Sequence, residues 1–219
     1  MFKKIKIENF RGIKHLEFND TKQFNLIVGK NNSCKTTVLE GIYLLIAPTN
    51  PSNYLKINTF RNFRLIDEHS WPLIFNKMDT QMPLTLYGEV ARPEEKRYLT
   101  IKPLSETVLQ KPGETLENIT SESSQAARVV RMNGLSFEYS IKKKNRKKPL
   151  KLNSDIRTNG KELNMNQSDS YNNPLNGIFV FANYNFGDNA RRFAGVKRKK
   201  QEEKVIKILQ KMEPGICDL

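Results

Sequence analysis

The stretch Gly29-Lys30-Asn31-Asn32-Ser33-Cys34-Lys35-Thr36-Thr37 constrains this chain more than any other. It follows the phosphate-loop template G-x-x-x-x-G-K-[ST], with Gly29, Lys35 and Thr36 at their required positions and Cys34 where the second glycine belongs. Before it, Phe24-Asn25-Leu26-Ile27-Val28 reads as a short strand covered on both faces. After it, residues 35–47 read as a helix, with Val38, Leu39, Ile42, Leu45 and Ile46 at helical spacing and Pro48 and Pro51 as stops. A loop in that setting turns successive backbone N–H groups inward above a helix N-terminus, where phosphate oxygens sit. Gly29, Lys30, Asn31, Asn32, Ser33, Cys34, Lys35, Thr36 and Thr37 are therefore the candidate nucleotide-binding residues, with ATP and Mg2+ as the implied cofactors. Lys35, the candidate catalytic residue, would reach the β- and γ-phosphates, and the Thr36 hydroxyl would ligate Mg2+.

Cys34 departs from the template. If its backbone must take φ > 0, a non-glycine residue there is strained by about 1–2 kcal/mol, which would weaken nucleotide binding about tenfold without abolishing it. A thiol at a helix N-terminus beside Lys35 is also biased toward thiolate. A reactive thiol whose oxidation blocks the site and a neutral substitution are both open readings.

Elsewhere, residues 3–10 alternate Ile5 and Ile7 with Lys4, Lys6 and Glu8, and residues 13–18 resume the alternation, as two half-buried strands would. Residues 83–91 and 96–103 form one expected hairpin; residues 136–141 and 149–153 form another around a basic turn. A short helix is expected over residues 67–78, with Trp71 and Phe75 in the core. Residues 105–127, rich in Ser, Thr and Glu, read as a flexible insertion, and residues 158–173 as loop. A second buried strand is expected over residues 177–182, and a helix over residues 198–212 with Val205, Ile206, Leu209 and Met212 on one face. The fold class is α/β, a P-loop NTPase with an antiparallel β-lobe. Its expected divisions are an N-terminal lobe (1–104), a flexible insertion (105–135), and the remainder of the same domain (136–219).

The 219 residues carry 37 Lys+Arg against 23 Asp+Glu, a formal charge of +14 that suits a polyanionic partner such as DNA. Lys142–Lys148 holds six cations in seven residues, and Arg191, Arg192 and residues 197–200 form a second set; each is either a solvated surface or a DNA contact. Neither has the interleaved aromatics of a base-stacking site. No apolar run approaches the roughly 18–20 residues of a membrane span, and the N-terminus has no secretory pattern. Cys34 and Cys217 cannot build a disulfide framework, so a reducing, cytoplasmic location is expected. His15 and His69 stand alone, and no Ser-His-Asp, paired-carboxylate or zinc pattern is present.

Lys6-Ile7-Glu8-Asn9-Phe10-Arg11-Gly12-Ile13, followed by residues 29–40, resembles the opening of RecF/SMC-like ABC ATPases, most closely the AAA branch related to the OLD proteins. The resemblance implies ATP and Mg2+ held by residues 29–37, with Arg11 near the nucleotide phosphates or near DNA. It implies dimers around two ATP molecules and a role on DNA or in phage defence. Such ATPases also need an apolar strand ending in Asp-Glu and a Ser-Gly-Gly-type signature. Leu65-Ile66-Asp67-Glu68 follows the loop helix too closely and is interrupted by Arg61 and Arg64; no Ser-Gly-Gly occurs. The chain therefore reads as an incomplete ABC-ATPase-like fold, completed by a missing C-terminal half or a complementing chain, with little hydrolysis alone. The alternative is a non-hydrolysing DNA- or protein-binding module whose phosphate loop is degraded by Cys34.

Overall fold

The computed structural model describes residues 1–46, 50–61, 63, 69–109, 128–159, 162–167, 175, 177, 179–180, 187–211, 213 and 215. It divides into two compact units, Met1–Phe179 and Val180–Leu219.

The first unit is built on a seven-stranded sheet ordered β2-β1-β3-β4-β5-β6-β7. The strands are β1 (Phe2–Phe10), β2 (Ile13–Phe18), β3 (Leu84–Val90), β4 (Glu95–Leu109), β5 (Arg128–Lys143), β6 (Leu150–Thr158) and β7 (Leu163–Asn166). Every neighbouring pair is antiparallel. Period-two alternation makes one face apolar: Ile5, Ile7, Leu84, Leu86, Leu99, Ile101, Leu135, Phe137, Tyr139, Leu152 and Ile156 are all buried. The other face carries polar side chains, as an antiparallel sheet covered on one side does. Both expected hairpins form, as β3–β4 and β5–β6.

Helix α1 (Lys35–Ile46) lies on the apolar face, with α2 (Ser52–Thr59) beside it. Gly41 allows close approach, since a Cβ there would stand 3.0 Å from Ile7 Cδ1. The C-terminus of α1 is tied to the sheet by a buried cation. Arg97 Nη1 donates to the carbonyls of Leu45 and Ile46, each at 3.0 Å, and the Tyr139 hydroxyl donates to Leu45 O at 2.9 Å. Arg97 is offset by Glu95, equally buried, with Nη2 2.5 Å from the carboxylate. These contacts satisfy carbonyls that a helix end leaves without intrahelical partners. Trp71, fully buried, stacks on Tyr54 with ring centroids 5.7 Å apart; burial pushes the Tyr54 phenol up to about 12.

Several expectations need correction. Residues 24–28 belong to no strand; Phe24, Leu26 and Val28 are 88%, 89% and 76% exposed, and only Ile27 among them packs against the core. Among the described residues no strand lies beside this segment to pair with it. The α/β expectation gives way to an antiparallel sheet with helices on one face, and no parallel pair occurs among the described residues. Residues 105–109 continue β4 rather than opening a loop; residues 110–127 lie outside the described set. Residues 163–166 form β7, where loop was expected. The helix expected over residues 67–78 is two 3-10 turns, Trp71–Ile74 and Asn76–Met78, separated by the extended Phe75, with Lys77 at φ 53° inside the second. Gly177, Phe179 and Val180 are not in a strand; Ile178, Phe181 and Ala182 are outside the described residues, as are residues 65–68 and Met212.

The second unit contains α3 (Gly187–Arg198) and α4 (Glu202–Leu209). The single helix expected over residues 198–212 is thus shorter, and a turn with Lys200 at φ 51° separates it from α3. No helix among the described residues is long and apolar enough to cross a membrane.

Candidate functional site

The phosphate-type loop sits at the end of the sheet where β1 finishes. Asn9 and Arg11 both take left-handed backbone, at φ 53° and 50°, which turns the chain sharply into β2. The turn is clasped from outside: Asn76 Nδ2 donates to Arg11 O at 2.6 Å, and Arg11 N donates to Ile74 O at 2.8 Å. Cys34 Sγ rests against Gly12, where any Cβ would collide with it. The loop is therefore braced against the β1–β2 turn through one sulfur atom.

Within the loop, Asn32 and Cys34 both have φ 61°. Cys34 immediately precedes α1, and its carbonyl accepts the first helical hydrogen bond, from Val38 N at 3.0 Å. The amides at the start of α1 have no intrahelical acceptors, so they and the helix dipole present positive potential to the loop. The Lys35 ammonium folds back into the loop and donates to Gly29 O and Lys30 O, both at 2.7 Å, and to Ser33 Oγ at 3.4 Å. The chain thus wraps around a cation. Thr36 is exposed beside it, while Thr37 is buried. Residues 31–37 with Arg11, Gly12 and Arg61 line a cleft of about 460 Å3. Cys34 is a free, half-buried thiol.

Arg11 is present at the site but turned inward. Its side chain is only 9% exposed, with Nε 3.3 Å from Glu40 Oε2 and Nη2 donating to Asn58 Oδ1 at 2.8 Å. Burial lowers its pKa, and Glu40 opposes that shift. Glu40, on α1 one turn below Thr36, is completely buried and takes a second arginine as well. Arg61 Nε lies 2.7 Å from Oε1, Nη2 3.1 Å from Oε2, and Nη2 also donates to Thr37 Oγ1 at 3.0 Å. Two guanidinium groups share one carboxylate, leaving a net positive charge under the loop. Sequence reading missed Arg61 and Glu40 as site residues. Glu40 falls in the stretch that resembles the family, but nothing local in the sequence ties Arg61 to it.

A loop that encircles a lysine ammonium, begins a helix and carries surplus positive charge beneath it defines a phosphate-loop protein. The sequence profile of the AAA ATPase domain matches residues 1–213, and the chain belongs to that family. Similar proteins include an uncharacterized protein of Methanocaldococcus jannaschii, 43% identical over 47 residues, which are 22% of this chain and 22% of that protein. The DNA replication and repair protein RecF of Nitrosococcus oceani is 51% identical over 39 residues, which are 18% of this chain and 11% of RecF. The matched stretches are thus well under half the length of these relatives.

Proposed function

We propose that this chain binds ATP with Mg2+ through residues 29–37, as the nucleotide-binding part of an ATPase that acts on DNA or in phage defence. The observation that carries the reading is the Lys35 ammonium held by three loop oxygens at the N-terminus of α1. The residues fit a polyphosphate. Their left-handed turns at Asn32 and Cys34 shape the loop, and the charge of Arg11 and Arg61 exceeds that of Glu40. Lys35 would exchange loop carbonyls for phosphate oxygens, and the exposed Thr36 hydroxyl would hold Mg2+. Bound Mg2+ would neutralise charge on the phosphates. Arg11, held by Glu40 and Asn58, acts as a brace between the β1–β2 turn and α1, and Arg61 stands at the rim of the cleft. The RecF match and the charge of +14 support a nucleic acid as the wider partner. Pairing of two copies around nucleotide belongs to the same proposal.

A second reading, a binding module that does not hydrolyse nucleotide, is favoured by one observation: the Cys34 sulfur fills the space between the loop and Gly12. Mg2+-dependent binding of a fluorescent ATP analogue separates the two. The first reading expects binding that Lys35→Ala removes; the second expects none in either protein.

A further inference from the structure

The sheet brings together, at the end remote from the phosphate loop, residues that the sequence keeps far apart. β1 begins there, β3 turns into β4, and β5 turns into β6. Lys3, Lys96, Lys142, Lys143 and Lys144 consequently line one cleft of about 480 Å3, with the β5–β6 turn carrying Arg146, Lys147 and Lys148 beyond it. Glu94, Glu89 and Glu95 share the cleft and are engaged, Glu94 by Lys144 at 2.7 Å, Glu89 by Lys96 at 3.2 Å and Glu95 by Arg97 at 2.5 Å. Lys3, Lys142, Arg146, Lys147 and Lys148 make no ion pair among the described residues. Lys142 lies directly opposite Lys96 across the β4–β5 ladder. Like charges in that position destabilise a sheet, so the arrangement suits a surface that receives an anion.

The same cleft is lined by an aromatic ring. Tyr98 lies two residues along β4 from Lys96, on the same open face, and is 45% exposed. Its cross-strand neighbour is Tyr87, with ring centroids 4.6 Å apart, and the Tyr87 hydroxyl is hydrogen-bonded to Glu89. Residues 142–148 contain no aromatic residue; the strand register supplies one.

We propose that this end of the open sheet face binds single-stranded nucleic acid, with phosphates on Lys142, Lys147 and Lys148 and a base stacked on Tyr98. Cations that track a backbone beside an aromatic face are what an unpaired strand requires. A duplex keeps its bases stacked on one another and leaves Tyr98 without a role. The inference deepens the nucleic-acid part of the proposed function by naming the strand form and the surface. It is independent of the phosphate loop.

The test is fluorescence anisotropy of the full chain with a labelled 20-nucleotide oligo-dT and a labelled 20-base-pair duplex, over a range of salt. The single strand should bind more tightly, with log K falling against log salt by about 0.7 per phosphate contacted, a slope near −2 for three contacts. Tyr98→Ala should weaken single-strand binding about 5-fold or more, the low end of one stacked base. Tyr98→Phe should stay within about twofold of wild type, because its ring still stacks. Lys142→Glu with Lys147→Glu should weaken it further, and Lys35→Ala should leave it unchanged. Three results would overturn the proposal: duplex binding equal to or tighter than single-strand binding, indifference of single-strand binding to Tyr98→Ala, or equal competition by a poly-glutamate peptide. No oligonucleotide binding at all, with ATP binding intact and sensitive to Lys35→Ala, would also overturn it while leaving the nucleotide site standing.

Discussion

Position 34 offers a prediction in which backbone geometry and chemistry can be separated. Cys34 has φ 61°, where a side chain meets its own backbone at a cost of about 1–2 kcal/mol. Glycine removes that cost but gives back about 0.5–1 kcal/mol through the extra freedom of the unfolded chain. Cys34→Ala and Cys34→Gly both delete the sulfur that rests on Gly12, and differ only by the Cβ. On central values glycine should therefore exceed alanine in stability by about 0.75 kcal/mol (about 0–1.5 across both ranges), or about 1.5–3 °C in Tm for a chain of this size. The strain is already present in the ligand-free loop, which bounds its effect on binding. Released entirely on nucleotide binding, the strain of about 1–2 kcal/mol gives at most about a 30-fold tighter Kd for the glycine variant. Thermal melts of the two variants, followed by titrations with a fluorescent ATP analogue, read both quantities. An alanine variant more stable than the glycine variant by about 0.5 kcal/mol or more would mean that position 34 is not left-handed in solution, and the loop geometry would be wrong.

Other consequences follow from the buried charges. Arg97→Met takes the guanidinium away from the buried Glu95 carboxylate and unties the end of α1; it should cost about 3–5 kcal/mol and lower Tm by roughly 6–20 °C, while adding Glu95→Leu should recover part of the loss. Glu40→Gln leaves Arg11 and Arg61 facing each other without a carboxylate, and should cost about 3 kcal/mol in a chemical denaturation series; a change below about 0.5 kcal/mol would contradict the shared-carboxylate geometry. Glu17 bridges Lys4 and Lys6 at 2.6 and 2.7 Å, and its hydrogen bonds to them hold its carboxyl at about 2. Because this pKa is depressed, its contribution to the β1–β2 hairpin is full above the unfolded value of about 4.3 and is lost as pH falls through about 2. An NMR titration of the Glu17 side chain showing a midpoint near 4.3 would refute the bridge.

What the sequence made legible was local. The β1–β2 alternation, both long hairpins and the start of α1 follow from periodicity and turn chemistry within about ten residues. Residues 24–28 failed because an apolar run says that a segment is fit to be buried, and nothing about whether a neighbour is there to bury it. The expected loop at residues 163–166 failed for the reverse reason, since an exposed edge strand needs only a partner, supplied by β6, and no apolar face. At the site, Lys35, Thr36 and Cys34 were readable because the phosphate-loop template is contiguous. Arg61 was not, because its meaning comes from α2 folding back to place it 2.7 Å from Glu40, which stands 21 residues earlier. Glu95 and Arg97 look like solvent-facing charges in an alternating strand; only the register shows that they point at α1. Tyr98 likewise gains a meaning only from the lysines that β1 and β5 bring beside it.

The most direct measurement is equilibrium binding of a fluorescent ATP analogue with Mg2+ to the wild-type chain and to Lys35→Ala, with Tm measured for both. A phosphate loop closed around the Lys35 ammonium predicts Mg2+-dependent binding by the wild type, and loss of at least tenfold in affinity in the variant at nearly unchanged Tm. Equal affinity in the two proteins would contradict the assignment of residues 29–37 as the nucleotide site.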